Sequence, residues 1–288
     1  MNENEKTIWH RLADLDQRII YLIFAILVGF PLIVPINLPL PISDDVRSAY
    51  DLMTEMPSGS IMWLGCEIGA TNSAEMRPMM VALVRYALEQ GHKIIIAGFW
   101  TDGCNLAAIW LDSVFTEMGA VEGEDYINLG YRASMSSILE QARTDMIGAF
   151  SDRDIAGATL SSMPLMGRVS KASDLDYLVV LNPGSPGTDN YIAGWRATGD
   201  IDTIIDCPSS GQITIAGTNL QAGLTQAMIA GLNGSAQFES LIGAPYKGIK
   251  GMDAQGTGHF VVIAFLIIGN ISYFKLRSLT AKTEKKEV

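Results

Sequence analysis

Four short segments concentrate the side chains able to do chemistry: Thr71-Asn72-Ser73, Thr101-Asp102-Gly103-Cys104, Asn182-Pro183-Gly184-Ser185 and Asp206-Cys207-Pro208-Ser209-Ser210. Each follows an apolar stretch that reads as a strand. In open α/β sheets, ligands bind beyond the carboxyl ends of the strands. If those strands are parallel, the four segments gather on one edge. Asn72, Thr101, Asp102, Asn182, Ser185 and Ser209 are then the expected ligand-binding residues of a small-molecule pocket. Exposed amides at helix starts would hold an anion there. Caps and turns use the same residue types, so the segments also have a purely structural explanation.

The other familiar chemistries find little in this chain. There is no G-x-G-x-x-G between a strand and a helix, and no Walker lysine motif. Gly184-Ser185-Pro186-Gly187 is glycine-rich, but proline removes amides that would cradle phosphate. His10, His92 and His259 are far apart, and Cys66, Cys104 and Cys207 lack C-x-x-C spacing, so no metal site and no cofactor are expected. Cys104 stands at a strand-to-helix turn, where a helix dipole lowers a thiol pKa. With Asp102 beside it, it is the one conceivable nucleophile, but no base is at hand, since His92 lies at the other end of the same strand. Ser161, Ser162 and Lys171 are the faint serine-hydrolase candidates. No catalytic residue is assigned on these grounds.

The elements that must position these residues follow from periodicity. Residues 60–68, 94–99, 126–130, 177–181 and 202–207 read as strands, and 212–216 as a sixth. Residues 74–90, 105–118, 137–150, 188–196 and 220–230 read as helices. Alternation of the two with short connections means a mostly parallel sheet with helices on both faces. The expected fold is a Rossmann-like, three-layer α/β domain with Ile94, Ile95, Ile96, Leu178, Val179, Val180, Ile204 and Ile205 in its core.

Two apolar runs flank that domain. The 288 residues are 48% hydrophobic and only 18% charged, with a mean hydropathy of +0.22. The shortfall of charge lies in residues 19–36 and 257–274. The first run holds no charge, and Pro31, Pro35 and the absence of a small-x-small site after it favour a retained anchor over a cleaved leader. The second ends in Tyr273 and Phe274 and then Lys275 and Arg277, an aromatic belt and a basic stop. The expected organisation is a tail (1–18), a transmembrane helix (19–36), a Pro-rich stalk (37–43), an extracytoplasmic α/β domain (44–245), a linker (246–256), a transmembrane helix (257–274) and a tail (275–288). Asp253, at the membrane surface, is read as a solvated linker residue or as a polar contact to a neighbouring chain. Gly269 and Asn270 are read as membrane-helix contacts, being residue types that let helices approach and bond.

Charge sets the orientation. Lys6, Arg11, Arg18, Lys275, Arg277, Lys282, Lys285 and Lys286 lie in the two tails, whereas Arg47, Lys247 and Lys250 are the basic residues near the membrane on the central segment. Both tails are therefore expected to be cytoplasmic in a two-pass protein of the cell membrane. The formal charge is −11, and the central segment is more acidic still. That excludes binding to a nucleic-acid backbone, which needs a clustered basic face.

The segment from Asp125 to Tyr131, the run Gly251-Met252-Asp253-Ala254-Gln255 into His259-Phe260, and Gly269-Asn270-Ile271 resemble an uncharacterised prokaryotic membrane-protein family. Its members carry N- and C-terminal anchors around an extracytoplasmic α/β domain. The resemblance implies the architecture and no activity. The function expected is a non-catalytic, membrane-anchored subunit of a larger membrane assembly, with the α/β domain as its interaction module. Its partners would be other membrane protein subunits, possibly a second copy of the chain, and the lipid bilayer. Trp100, Trp110 and Trp195 are the candidates for a lateral contact patch. An extracytoplasmic small-ligand sensor is the alternative reading, and a membrane-tethered hydrolase the third. Two tails of about 18 and 14 residues leave no room for an output domain, which favours the assembly.

Overall fold

The computed structural model describes residues 8–13, 15–244 and 246–284. Of the basic tail residues, Lys6, Lys285 and Lys286 lie outside them. The chain divides into two compact units: Leu40–Ile249, and the residues up to Pro39 together with those from Lys250.

The first unit is an α/β domain. Its strands are β1 (Ile61–Cys66), β2 (Lys93–Gly98), β3 (Tyr126–Tyr131), β4 (Tyr177–Asn182), β5 (Ile204–Pro208) and β6 (Ala227–Met228). They form a six-stranded, all-parallel sheet in the order β3-β2-β1-β4-β5-β6. This is the Rossmann order, and its topological switch point lies between β1 and β4. The central strands are buried throughout, as befits continuous apolar runs covered on both faces. All eight expected core residues are buried at 1% exposure or less.

Helices cover both faces of the sheet. One core combines Met62, Leu64, Ile94 and Val179 with α3 (Asp44–Glu55), α4 (Ser73–Glu89), α5 (Gly103–Met118) and α10 (Gly231–Leu241). The other combines Trp63, Ile95, Leu178 and Val180 with α6 (Met135–Ala142), α7 (Met146–Ala149) and the irregular stretch from Leu160 to Leu175. To this second core also belong α8 (Thr188–Tyr191) and the π-turn Ile192–Arg196 that continues it. Trp195 is fully buried with its indole N–H on the Leu139 carbonyl, and Trp110 is 5% exposed. Both are core residues, not parts of a lateral patch.

Two sequence expectations change places near the end of the domain. Residues 212–216, read as a strand, begin helix α9 (Ile213–Gln221), and residues 220–230, read as a helix, contain β6. The alternation Ile213-Thr214-Ile215 does not mark a buried face: both isoleucines are exposed, and Ala216 is the residue α9 buries. Residues 137–150, read as one helix, are split between α6 and α7.

The second unit contains α1 (Ile8–Ala13), α2 (Gln17–Ile33) and the greater part of α11 (Lys247–Glu284). Residues 247–256, read as a linker, are the opening turns of α11. The stretch Lys247–Ser278 is long and apolar enough to cross a membrane. α2 is a shorter apolar helix of 17 residues. Asp253 is 2% exposed, and it serves neither of the roles read from the sequence. Its carboxylate accepts the backbone N–H groups of Ile36, Asn37 and Leu38 at 2.8–2.9 Å. One side chain of α11 thereby holds the segment where α2 ends. A Cβ added at Gly258 would touch Val28 at 3.5 Å, and one at Gly256 would crowd Leu38 at 3.1 Å, so glycine lets α11 approach the α2 segment. Gly269 has nothing within 4 Å of its Cβ position, and Asn270 turns its amide onto the Leu266 carbonyl of its own helix at 2.8 Å.

Candidate functional site

Because the strands are parallel, the loops after β1, β2, β4 and β5 lie on one edge, and all six sequence-expected residues stand there. They do not form one cluster. Asn182 and Ser185 line a common cavity. Ser209 is buried, and its N–H donates to the Asn182 carbonyl at 3.0 Å. Thr101 and Asp102 are exposed at the start of α5, and Asn72 precedes α4 without a side-chain cap bond.

The switch point itself is filled by protein. A methyl group added at Gly69, beyond β1, would touch the Trp100 ring at 3.8 Å, and one at Gly184, beyond β4, at 3.5 Å. The indole N–H of Trp100 donates to the Pro186 carbonyl at 2.8 Å. Beneath it lies Glu67, which is fully buried at the end of β1. Its Oε2 accepts the Phe99 N–H at 2.7 Å, and its Oε1 accepts the Tyr191 hydroxyl at 2.9 Å. Tyr191 in turn accepts the Trp63 indole N–H at 3.1 Å. Gly65 makes room for this arrangement, since a Cβ there would sit 2.9 Å from the Tyr191 hydroxyl. Burial raises the Glu67 pKa to about 7, outweighing the hydrogen bonds that favour the carboxylate.

A second buried carboxyl stands on β5. Asp206 Oδ1 accepts the Thr188 hydroxyl at 2.6 Å and the Asn182 Nδ2 at 3.3 Å. Its Oδ2 has no partner, and burial raises its pKa to about 6. α8 thus begins with Thr188 on one buried acid and ends with Tyr191 on the other. In front of Asn182 and Thr188 opens a cavity of about 210 Å³, whose wall includes Ser185, Asp189, Gln212 and Ile215. Glu67, Thr188, Tyr191, Gln212 and Ile215 were not singled out in the sequence, and Asp206 was read only as a member of the segment Asp206–Ser210, not as a site residue. The available signal was a carboxylate inside an apolar strand run, in Leu64-Gly65-Cys66-Glu67-Ile68 and in Ile204-Ile205-Asp206-Cys207.

The remaining candidates resolve into structural roles. Cys104 is 1% exposed, and burial pushes its thiol well above the usual range, against the lowering expected from a helix start. All three cysteines are free and buried. His92 bonds Tyr177 through Nδ1 at 2.8 Å. The Ser161 hydroxyl donates to Asp152 and that of Ser162 to the Thr159 carbonyl. No group of three or more metal-ligating side chains occurs among the described residues. No family model, curated protein or solved structure matches this chain.

Proposed function

We propose that the chain is a non-catalytic, two-pass membrane subunit whose extracytoplasmic α/β domain is an interaction module within a larger membrane assembly. The observation that carries this reading is α9. It buries Ala216 and leaves Ile213 and Ile215 exposed, with Leu224 exposed just beyond it. Ile213 and Ile215 stand two positions apart and so on different faces of the helix, Ile215 beside the cavity after β4; the exposed Ile213 is the side chain that supports a contact with another protein.

Membrane anchoring is supported by the other unit. Tyr21, Leu22, Ile26, Phe30 and Leu32 on α2 are exposed, as are Phe260, Ile263, Leu266, Ile267 and Phe274 on α11. Such surfaces suit contact with lipid or neighbouring helices. The Asp253 bonds fix the α2 exit against α11, which suits two anchors acting as one hairpin. The basic bias of the tails supports cytoplasmic termini.

Site-specific photocrosslinking from Ile213 in the native membrane tests the module. The expected product is an adduct of defined partner mass that disappears when the crosslinker is moved to a buried position. Absence of any adduct from Ile213 and Ile215 rejects the module. A second reading, a ligand sensor, is favoured by the cavity in front of Asn182.

A further inference from the structure

The exposed side of α11 carries one group that hydrocarbon cannot satisfy. Two stripes run along this helix. Ala254, Gly258, Val261 and Ser272 form the covered one: the three side chains are buried, and Gly258 stands against Val28 of α2. Phe260, Ile263, Ile267, Asn270 and Phe274 form the other, at alternating spacings of three and four residues, and all five are exposed. That spacing keeps them on one face. At about 100° per residue, this face points away from the covered one.

Asn270 is the polar member of the exposed stripe, inside the apolar run 257–274. Its Nδ2 donates to the Leu266 carbonyl at 2.8 Å. Helix side chains tilt toward the N-terminus, and here the bond draws the amide toward the middle of the run, away from the basic end at Lys275. One Nδ2 hydrogen remains free, and Oδ1 accepts no hydrogen bond among the described residues. Lipid tails offer neither donor nor acceptor, and an unmet amide among them is costly.

A second copy of the chain supplies the complement without further conditions. The basic bias that orients one copy orients every copy, so two copies stand parallel with their Asn270 residues at one depth. A carboxamide is self-complementary: about a two-fold axis, Oδ1 of each accepts the free Nδ2 hydrogen of the other. A single Asn among apolar seam residues is a device that fixes register and copy number in parallel helix pairs. Ile263 and Ile267 are nearly confined to one χ1 rotamer in a helix, so they lose little freedom on contact.

We propose that two copies of the chain associate in the membrane through the α11 seam of Ile263, Ile267, Asn270 and Phe274, with the two Asn270 amides hydrogen-bonded to each other. This rests on the anchoring part of the proposed function. Subunits held through Ile213 of α9 are additional to this pair.

The test is disulfide crosslinking of the full chain in its native membrane, with one cysteine added at a time. The unsubstituted chain, whose three cysteines are buried, is the blank. Ile267→Cys and Phe274→Cys should each give a product of twice the 31.2 kDa chain mass. Val262→Cys and Ile268→Cys, exposed but off the seam, should not. In lipid vesicles, energy transfer between labelled copies reports the dimer fraction as lipid is added. Asn270→Leu should raise the dissociation constant about three- to thirtyfold, and Asn270→Gln, which keeps the amide, should recover part of the loss. Absence of the Ile267 and Phe274 products overturns the proposal and leaves the anchoring intact. So does equal crosslinking off the seam, a product only with a chain of another mass, or a dimer fraction unchanged by Asn270→Leu. Release of the chain from the membrane by alkaline carbonate overturns the anchoring, and the proposal with it.

Discussion

Glu67 shows how a single residue shapes the behaviour of the domain. Its carboxyl is fully buried and receives the Phe99 N–H and the Tyr191 hydroxyl, yet its pKa rises to about 7 because desolvation outweighs those bonds. A folded-state pKa above the unfolded value means the folded state prefers the protonated acid. The stability this gives is complete below about pH 4.5 and is lost as pH rises through about 7. The loss is on the order of 3 kcal/mol, from about 1.4 kcal/mol per pKa unit. Glu67→Gln should flatten the fall in melting temperature between pH 5 and pH 7, measured by calorimetry or circular dichroism. An unchanged slope would mean that Glu67 does not titrate in this window. Glu67 did not stand out in the sequence, and Asp206 was named only within its strand-exit segment, because an acid at a strand end reads as part of a turn. Asn182 and Ser185 were legible because they occupy a loop rich in proline and glycine. What could not be read was the partner behind Asn182, which depends on the β4–β5 register.

At the scale of elements, close approaches hold the carboxyl edge together. A Cβ on Gly103 would lie 1.9 Å from the Cys66 carbonyl oxygen, so the start of α5 rests directly on the exit of β1. Backbone cannot move aside as a flexible side chain can. Gly103→Ala should therefore cost about 3 kcal/mol or more, read as a lower denaturation midpoint or loss of soluble expression of the domain. The Asp253 link is a second such device. Asp253→Ala leaves the N–H groups of Ile36, Asn37 and Leu38 without their acceptor, a loss of about 1–3 kcal/mol. Asp253→Asn, which keeps one acceptor oxygen, should lose less, and thermal melting in detergent distinguishes the two. Strands β1, β2, β4 and β5 were readable because they are short continuous apolar runs with no helical period, β-branched most clearly in Ile94-Ile95-Ile96 of β2. The order of α9 and β6 was not. Ile-Thr-Ile alternates like a strand, while β6 has two residues and no period at all. α10 was hidden by Gly231 and Gly234 in its first turn. Both have tertiary reasons: Gly231 has a φ of +55°, and a Cβ on Gly234 would meet the Ile229 backbone at 2.9 Å.

For the whole molecule, the composition separates an acidic central segment from two apolar runs, and the structure has one compact unit over Leu40–Ile249 and another made of the residues on either side. The proposed role joins them: anchors that place the domain outside the membrane, and an exposed α9 that meets a neighbour. Membership of an assembly is the central claim, and subunit composition tests it most directly. Native mass spectrometry of the protein extracted from its own membrane in gentle detergent reports that composition. The expected result is a complex heavier than one chain that loses its additional subunits when Ile213 and Ile215 are both replaced by Asp. A single chain of 31.2 kDa, with lipid alone attached, would contradict it.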